Sequence, residues 1–122
     1  MQTKTVLLVI LGAVSASAAT IRRQNNGTDF GRCTPTMDLQ FGRPGRKATE
    51  ATFLPTDPLV AQGQQDAFNP NIITTRICYQ LTNVCEANQA AKDLCQQAMA
   101  KVSAAGTKDN STVALFNGAL GF

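Results

Sequence analysis

The amino-acid sequence predicts a small α+β domain that is mainly helical and held together by disulfide bonds. Four cysteines occur in a chain of 122 residues, a length that allows one domain. Apolar residues recur at three- and four-residue steps after Asn69, a pattern that indicates an amphipathic helix. Apolar and polar residues alternate from Thr36 to Phe41, which indicates a half-buried strand.

The β part is predicted near the amino end of the domain. The strand at Thr36–Phe41 is followed by a turn rich in glycine and proline at residues 42–46. Residues 48–54 are then expected to return as a second strand, giving a β-hairpin or an extended segment. Since an isolated pair of strands is marginally stable in water, we expect helices to cover it.

Two long helices are predicted after a short one. Asp57 and Pro58 have the residue types of an N-cap and a first helical position, and they predict a short helix that reaches Ala67. Asn69, which also precedes a proline, repeats the pattern and opens the main amphipathic helix.

The second long helix is expected to start near Asn88 and to end at Gly106, because glycine suits the left-handed position that stops a helix. The two long helices are predicted to form an antiparallel hairpin that turns near residues 86–87. A short terminal helix is expected within residues 111–120.

The cysteines are Cys33, Cys78, Cys85 and Cys95, and an even number in a short chain predicts two disulfides. In one continuous helix, Cys78 and Cys85 are expected about 10.5 Å apart along the axis, beyond the reach of a disulfide. A turn between residues 86 and 87 places Cys78 opposite Cys95. The geometry therefore favours Cys78–Cys95 with Cys33–Cys85, while Cys33–Cys78 with Cys85–Cys95 stays open. No two cysteines have the close spacing of a zinc knuckle, so we expect no metal and no cofactor.

Residues 1–18 are predicted to be a secretory signal peptide. Lys4 precedes an apolar run at Val6–Val14, and the small residues that follow suit cleavage after Ala18 or Ala19. The apolar run spans about 14 Å of helix, less than half of the roughly 30 Å hydrocarbon core of a bilayer. No later stretch is long enough to cross a membrane, so we expect secretion without membrane insertion.

The segment after the signal peptide carries a candidate processing site. Arg22 and Arg23 form a dibasic pair that secretory convertases recognise, so residues 19–23 are a candidate propeptide. The alternative is a pair of solvated arginines. Residues 24–32 are predicted to be a flexible polar leader, and residues 33–122 a single disulfide-containing domain.

Two Asn-X-Thr sequons are candidate glycosylation sites. The first begins at Asn26 in the predicted leader. The second begins at Asn110 in the loop before the last helix.

The formal charge of +3 arises from the amino end. Removal of residues 1–23 deletes three basic residues and no acidic one, so eight basic residues remain against eight acidic ones. The cluster Arg43, Arg46 and Lys47 is predicted to be a solvated turn, because three charges without interleaved aromatic residues are a weak signal for nucleic-acid binding. We therefore expect no nucleic-acid partner.

Groups suited to catalysis are scarce. The chain has no histidine, which excludes a Ser-His-Asp triad, a Cys-His pair and histidine-based zinc sites. Two acid pairs remain, Asp57 with Asp66 and Glu86 with Asp93, but a helix cap and solvated helix faces explain these residues better. Tyr79 is assigned to core packing. We therefore expect a protein that is not an enzyme.

Three stretches of sequence match a known group together with the four-cysteine frame. They are CTPTMDL, PTDPLVAQGQQDAFNPNIITTRICYQLTNVCEANQAAKDLC and ALFNGALG. They resemble a group of small secreted proteins of filamentous fungi over most of residues 33–121. The resemblance implies an extracellular or cell-surface protein without a catalytic motif, of the kind considered candidate effectors, elicitors or wall-associated factors. The group has no established activity, so it assigns no residue beyond the four cysteines.

Two functional hypotheses follow. The first is an effector-like, elicitor-like or wall-associated protein that binds an unidentified extracellular, host or cell-wall component. The second is a small module that binds an apolar ligand or a hydrophobic surface through the apolar face of its helices, although a domain of this size needs that face for its core. In either case we expect a monomer.

Overall fold

The structure, a computed structural model, describes residues 27–122. Strands β1 (Met37–Phe41) and β2 (Ala51–Pro55) form a two-stranded antiparallel sheet. Four helices follow within this part of the chain: α1 (Pro58–Ala61), α2 (Pro70–Asn83), α3 (Gln89–Ala105) and α4 (Asn110–Ala119). The predicted mixture of α and β structure, with helix predominating, is therefore confirmed.

Several predictions concern the amino end of the chain. The signal peptide, the cleavage positions at Ala18, Arg22 and Arg23, and the sequon at Asn26 all lie outside the described residues.

The β-hairpin has a longer connection than predicted. β2 begins at Ala51 rather than at residue 48. Residues 47–50 form a turn, in which the Glu50 N–H donates to the Lys47 carbonyl at 2.9 Å and the Lys47 N–H donates to the Glu50 carboxylate at 2.8 Å. Residues 48–50 are therefore part of the turn and not of the strand.

Helix α1 is shorter than predicted and ends at Ala61, not at Ala67. The Asp57 side chain caps it as expected and accepts from the Leu59 N–H at 2.9 Å. Ala67 instead pairs with Phe53 of β2 through two backbone hydrogen bonds of 2.8 and 3.0 Å. The backbone groups of Ala67 bond to β2 and therefore do not continue α1. A sequence pattern of neighbouring residues does not show this long-range pairing.

The predicted starts of both long helices and the predicted end of α3 are confirmed. Asn69 caps α2 by accepting from the Asn71 N–H, and Asn88 caps α3 by accepting from the Ala91 N–H, each at 2.9 Å. Gly106 ends α3 in the left-handed conformation. The terminal helix starts one residue earlier than predicted and begins with a capping box.

The core joins one face of each long helix to the sheet. Its largest fully buried side chains come from both strands and all four helices: Met37, Phe53, Val60, Ile73, Ile77, Leu81, Val102, Phe116 and Leu120. α3 contributes mostly small side chains at its buried positions, among them Ala91 and Ala98. Small residues let neighbouring elements approach closely, so a short chain can still exclude water.

Both predicted disulfides are present. Cys33 is bonded to Cys85 with a Cα–Cα distance of 5.3 Å, and Cys78 to Cys95 with a distance of 5.6 Å. These are the pairs that the turn geometry favours. The first joins the segment before β1 to the turn after α2, and the second joins α2 to α3.

The described part of the predicted leader, residues 27–32, is packed on the domain. Thr28 and Phe30 are both only 4% exposed. The Asn88 side-chain amide donates to the Gly27 carbonyl at 2.7 Å, and the Asn88 N–H donates to the Asp29 carbonyl at 2.9 Å. Polar composition suggests a flexible segment, but the buried phenyl ring of Phe30 and this backbone pairing hold it in place.

The far edge of β1 meets α4. The Asn117 side-chain amide accepts from the Met37 N–H and donates to the Met37 carbonyl, both at 3.0 Å. It therefore satisfies the two backbone groups of Met37 as a neighbouring strand would. Within residues 27–122, no helix has the length and apolar character needed to span a bilayer.

Candidate functional site

The tip of the β-hairpin forms one side of an open groove of about 740 Å³, here called the hairpin groove. Phe41 lines it and is 68% exposed, whereas Met37 at the other end of β1 is 1% exposed. The sequence pattern places both residues on one buried face. β1 begins in the core and ends at the surface, so Phe41, the last apolar residue of the pattern, faces water.

The basic cluster beside this groove is not the solvated turn that the sequence predicts. Arg43 Nη2 lies 2.5 Å from Asp38 Oδ1, and the Arg43 side chain is only 11% exposed. Arg46 Nε lies 2.9 Å from Asp66 Oδ2, and its guanidinium stands 4.5 Å from the centre of the Phe68 ring. Two of the cationic groups are therefore paired with carboxylates that lie elsewhere in the sequence.

Asp66 is the carboxylate most affected by these contacts. The Thr52 hydroxyl and the Arg46 guanidinium lower the pKa of Asp66 below its ordinary value. Thr52 Oγ1 is buried and reaches hydrogen-bond geometry with none of the described groups. The ion pair with Arg46 therefore accounts for the lowered pKa, and it holds Asp66 in its charged form.

A smaller depression of about 260 Å³ lies beside α2, and we call it the central depression. Ile72, which is 49% exposed, and Thr75 line it together with Gln64 from the loop after α1. Arg76 also lines it and donates from Nη2 to the Gln62 carbonyl at 2.5 Å. This contact ties the loop after α1 to α2.

The third concavity is the inter-helix groove, of about 530 Å³, between α2 and α3. Tyr79 lines it and is 64% exposed, so its assignment to the core is wrong. The buried face of α2 contains Ile77 and Leu81, each 0% exposed. A residue two positions from Ile77 lies about 200° around the helix, which directs Tyr79 away from the core.

The three concavities adjoin one another. Gln64 lines both the hairpin groove and the central depression, and Thr75 and Tyr79 line both the central depression and the inter-helix groove. We call the combined surface the aromatic track. It runs from Phe41 at the hairpin to Met99 on α3. It is open to solvent along its length and combines exposed aromatic rings with amide and hydroxyl side chains.

The acidic residues weighed as catalytic pairs have other roles. Asp57 caps α1 and also accepts from the Thr34 N–H at 2.8 Å. Asp66 pairs with Arg46, and Asp93 accepts from the Gln89 amide at 2.9 Å on the surface of α3. Glu86 is exposed in the turn before α3, with a positive φ of 60°. Among residues 27–122, no group of three histidine, cysteine or carboxylate side chains is arranged to hold a metal ion.

The second sequon lies at the start of α4. Asn110 is exposed at the first residue of the helix. The hydroxyl of Thr112, the third residue of the sequon, is 2.6 Å from the Thr107 hydroxyl and accepts from the Asp109 N–H at 3.2 Å. The folded helix therefore uses the sequon hydroxyl as part of its cap, while the Asn110 side chain stays on the surface.

The sequence-based predictions missed the residues that make up the track. Phe41 and Tyr79 were assigned to buried positions, and Gln64 and Ile72 to no site. One signal does exist in the sequence: Ile72 and Tyr79 are large apolar residues that fall outside the buried stripe of α2. Exposed positions of that kind are candidates for contact with a ligand.

The fold and this surface define a class: a small α+β domain with two disulfides and an open track of aromatic and amide side chains. No protein-family model matches the chain, and neither the search of curated proteins nor the search of solved structures finds a match. The functional argument therefore rests on the chain's own residues.

Proposed function

We propose that this chain is a secreted fungal protein that acts by binding and has no catalytic activity, in an effector-like, elicitor-like or wall-associated role. The observation that carries the proposal is the aromatic track. Phe41 and Tyr79 are 68% and 64% exposed, although the domain has a complete core built from other residues. Aromatic side chains are enriched at the sites where proteins contact their partners, relative to the rest of the surface.

Secretion is supported by two independent features. The amino-terminal sequence has the charged, apolar and small-residue regions of a signal peptide. Two disulfides in a small domain are consistent with an extracellular location, since reducing compartments disfavour them. The resemblance to small secreted fungal proteins points to the same compartment.

The absence of catalysis is supported by the composition and by the contacts of the acidic side chains. A chain without histidine lacks the commonest general base at neutral pH. Asp57 is committed to a helix cap and Asp66 to an ion pair, so neither is a free carboxylate beside the hairpin groove. Binding, unlike catalysis, requires neither a histidine nor a free carboxylate.

We also propose that the domain is a rigid monomeric scaffold. In it, α2 and α3 form an antiparallel hairpin that the Cys78–Cys95 bond closes, and the Cys33–Cys85 bond holds the amino-terminal segment against its turn. A rigid scaffold keeps the rings of the track in position before a ligand arrives, which lowers the entropic cost of binding.

The alternative function is a module that binds an apolar ligand or a hydrophobic surface, and only binding of a hydrophobic surface has support. Ile73, Ile77 and Leu81 on the apolar face of α2 are 0% exposed and are used by the core. Exposed apolar side chains beside that face, Phe68 and Ile72, would then contact a hydrophobic surface.

The test begins with the full chain expressed in a yeast secretion host. Purified protein from the medium is incubated with insoluble wall preparations of fungal and plant origin and with an octyl matrix, and the sedimented fraction is measured. We expect sedimentation with at least one wall preparation and loss of it in the triple variant Phe41→Ser, Ile72→Ser, Tyr79→Ser. A matched triple variant at exposed residues outside the track, Lys101→Ala, Ser103→Ala and Lys108→Ala, should sediment like the unmodified protein.

Two other outcomes count against the proposal. Retention on the octyl matrix alone would favour the alternative, and no retention on any material would contradict a wall-binding function. An elicitor-like role is measured separately, by infiltration of the protein into plant tissue and scoring of cell death.

A further inference from the structure

We propose that the aromatic track binds a neutral oligosaccharide chain, with sugar rings stacked on Phe41 and Tyr79. This inference rests on the proposed binding function and names the chemical class of its ligand. The argument uses four features of the track: its rings, its polar groups, its charge balance and its length.

The two rings have the exposure that stacking requires. Phe41 and Tyr79 are 68% and 64% exposed, so a ligand can cover an open face of each. A sugar ring presents C–H groups on its flat side, and these pack against the electron-rich face of an aromatic ring. Ile72, which is 49% exposed, adds apolar surface in the central depression.

The polar lining suits hydroxyl groups. Gln64 and Gln65 line the hairpin groove, and Asn83 and Gln96 line the inter-helix groove. An amide side chain offers both donors and an acceptor, and a sugar hydroxyl likewise donates and accepts. A few such groups around an aromatic surface provide orientation and specificity.

The charges of the track are largely compensated within the protein. Arg43 is paired with Asp38 and Arg46 with Asp66, so the hairpin groove offers little free positive charge to a polyanion. Lys92 and Asp93, of opposite sign, both line the inter-helix groove. Arg76 is the exception, since it forms no ion pair within residues 27–122, but its guanidinium already donates to the Gln62 carbonyl. This balance favours a neutral ligand over an acidic one.

The shape favours a chain over a compact molecule. The hairpin groove, the central depression and the inter-helix groove have volumes of about 740, 260 and 530 Å³ and share lining residues, so an occupant that fills them is extended. An extended peptide would gain affinity by pairing with a strand edge. The backbone of Met37 at the start of β1 is already bonded to Asn117, and that of Phe53 in the middle of β2 to Ala67, so the two edges of the sheet are closed to such pairing at these residues.

The composition of the chain provides a direct probe of binding. Tyr79 is the single tyrosine, and the chain has no tryptophan. Its intrinsic fluorescence therefore reports on the centre of the track alone. The secreted, disulfide-bonded protein is titrated with a hexasaccharide of β-linked glucose, a hexasaccharide of N-acetylglucosamine, glucose itself and a hexasaccharide of galacturonic acid.

We expect a saturable change in tyrosine fluorescence with at least one neutral hexasaccharide and binding of glucose at least about tenfold weaker, because a monosaccharide covers one ring at most. The acidic hexasaccharide should bind more weakly than the neutral one. Calorimetry extends the measurement to variants that lack tyrosine.

Variants separate stacking from other contacts. Phe41→Ala and Tyr79→Ala should each weaken binding of the neutral hexasaccharide by about tenfold, the value of one lost stacking contact. Tyr79→Phe should bind normally by calorimetry, since it keeps the ring. Phe122→Ala is the matched control, because Phe122 is 44% exposed and lines none of the three concavities. Thermal melts verify that each variant is folded.

The outcomes distinguish this inference from the proposed function. If the protein sediments with walls through the track but binds neither neutral hexasaccharide, the ligand class is wrong and the binding function stands. Binding of the acidic hexasaccharide alone, abolished by Arg76→Gln, would also overturn the neutral ligand. If the protein neither sediments with walls nor binds any sugar, the wall-binding function and the sugar ligand are both contradicted.

Discussion

The amino-terminal segment at residues 27–33 and the hairpin tip at residues 41–50 both extend from the helical core, but they are held by different means. The segment is fixed by the Cys33–Cys85 bond and by hydrogen bonds to Asn88, and its Phe30 ring is 4% exposed. The tip is held by ion pairs, and its Phe41 ring is 68% exposed. Covalent and backbone contacts thus hold the first region, and charged side chains hold the second.

The two regions are therefore expected to serve different purposes, the amino-terminal segment for stability and the hairpin tip for binding. A segment that is buried and cross-linked contributes to the free energy of unfolding. A tip held by partly exposed ion pairs contributes little to stability, because solvent and salt screen such pairs. We therefore expect substitutions in the segment to lower stability, and substitutions at the tip to change binding instead.

Removal of the disulfides should have the largest effect. The Cys33–Cys85 bond closes a separation of 52 residues and the Cys78–Cys95 bond one of 17. Chain entropy predicts losses of about 4 and about 3 kcal/mol for the double alanine variants at each pair. Guanidinium denaturation measures both. A larger loss at the shorter loop would show that native contacts, and not loop closure, determine the ranking.

Gly31 is the next most sensitive position. It has a φ of +65°, and a Cβ there would lie 1.9 Å from the Cys85 carbonyl oxygen, so Gly31→Ala should cost about 3 kcal/mol. Gly45, in the hairpin tip, has a φ of +84° and nothing within 4 Å of such a Cβ. Gly45→Ala is the matched control, with an expected cost of about 1 kcal/mol. Equal melting temperatures for the two variants would argue against the close contact at Gly31.

Asn88 tests the noncovalent part of the same anchor. It caps α3 and also bonds to the backbone of Gly27 and Asp29, whereas Asn69 caps α2 alone. Asn88→Ala should cost about 2 kcal/mol and Asn69→Ala about 1 kcal/mol in denaturant unfolding. If the costs are equal, the contacts of Asn88 with the amino-terminal segment add no stability.

The hairpin tip should show the smallest effect, and one that depends on pH. Because contacts in the folded state lower the pKa of Asp66, the ion pair stabilises the fold above the unfolded pKa near 3.8. That contribution is lost as the pH falls through the lower, folded-state pKa. Asp66→Asn should remove about 0.5 kcal/mol at neutral pH and flatten the acid side of the stability profile.

Asp93→Asn, on the exposed surface of α3, provides the control for this measurement. Unfolding is followed in denaturant between pH 2 and pH 7. An unchanged acid profile in Asp66→Asn would show that the pair with Arg46 does not stabilise the fold.

Much of the helical structure could be predicted because its signals are local. An asparagine followed by a proline caps α2 at Asn69, and glycine ends α3 at Gly106, as expected from the backbone requirements of helix ends. The alternation in β1 predicted a strand but not how deeply each residue is buried, since Phe41 continues the apolar pattern although it is exposed. The extent of α1 was overestimated because Ala67 pairs with Phe53 across the sheet.

The candidate site was hidden from the sequence for the same reason. Ile72 and Tyr79 are seven residues apart and so lie on one face of α2. Gln64 lies in the loop after α1, and no spacing rule connects it to that face. The three residues share a surface because the loop after α1 lies beside α2, where Arg76 donates to the Gln62 carbonyl. Such contacts depend on the packed arrangement of several elements.

The sequence by itself determined the starts of α2 and α3, the end of α3, the number of disulfides and the absence of histidine, because each depends on residue type or on short-range backbone geometry. Only the tertiary structure decided that residues 27–32 pack on the domain, that Arg43 and Arg46 are paired with carboxylates, and that Tyr79 faces solvent. These features arise where segments that are distant in the sequence lie side by side in the fold. The physical reason is that burial and charge pairing are set by three-dimensional proximity, which a one-dimensional pattern does not contain.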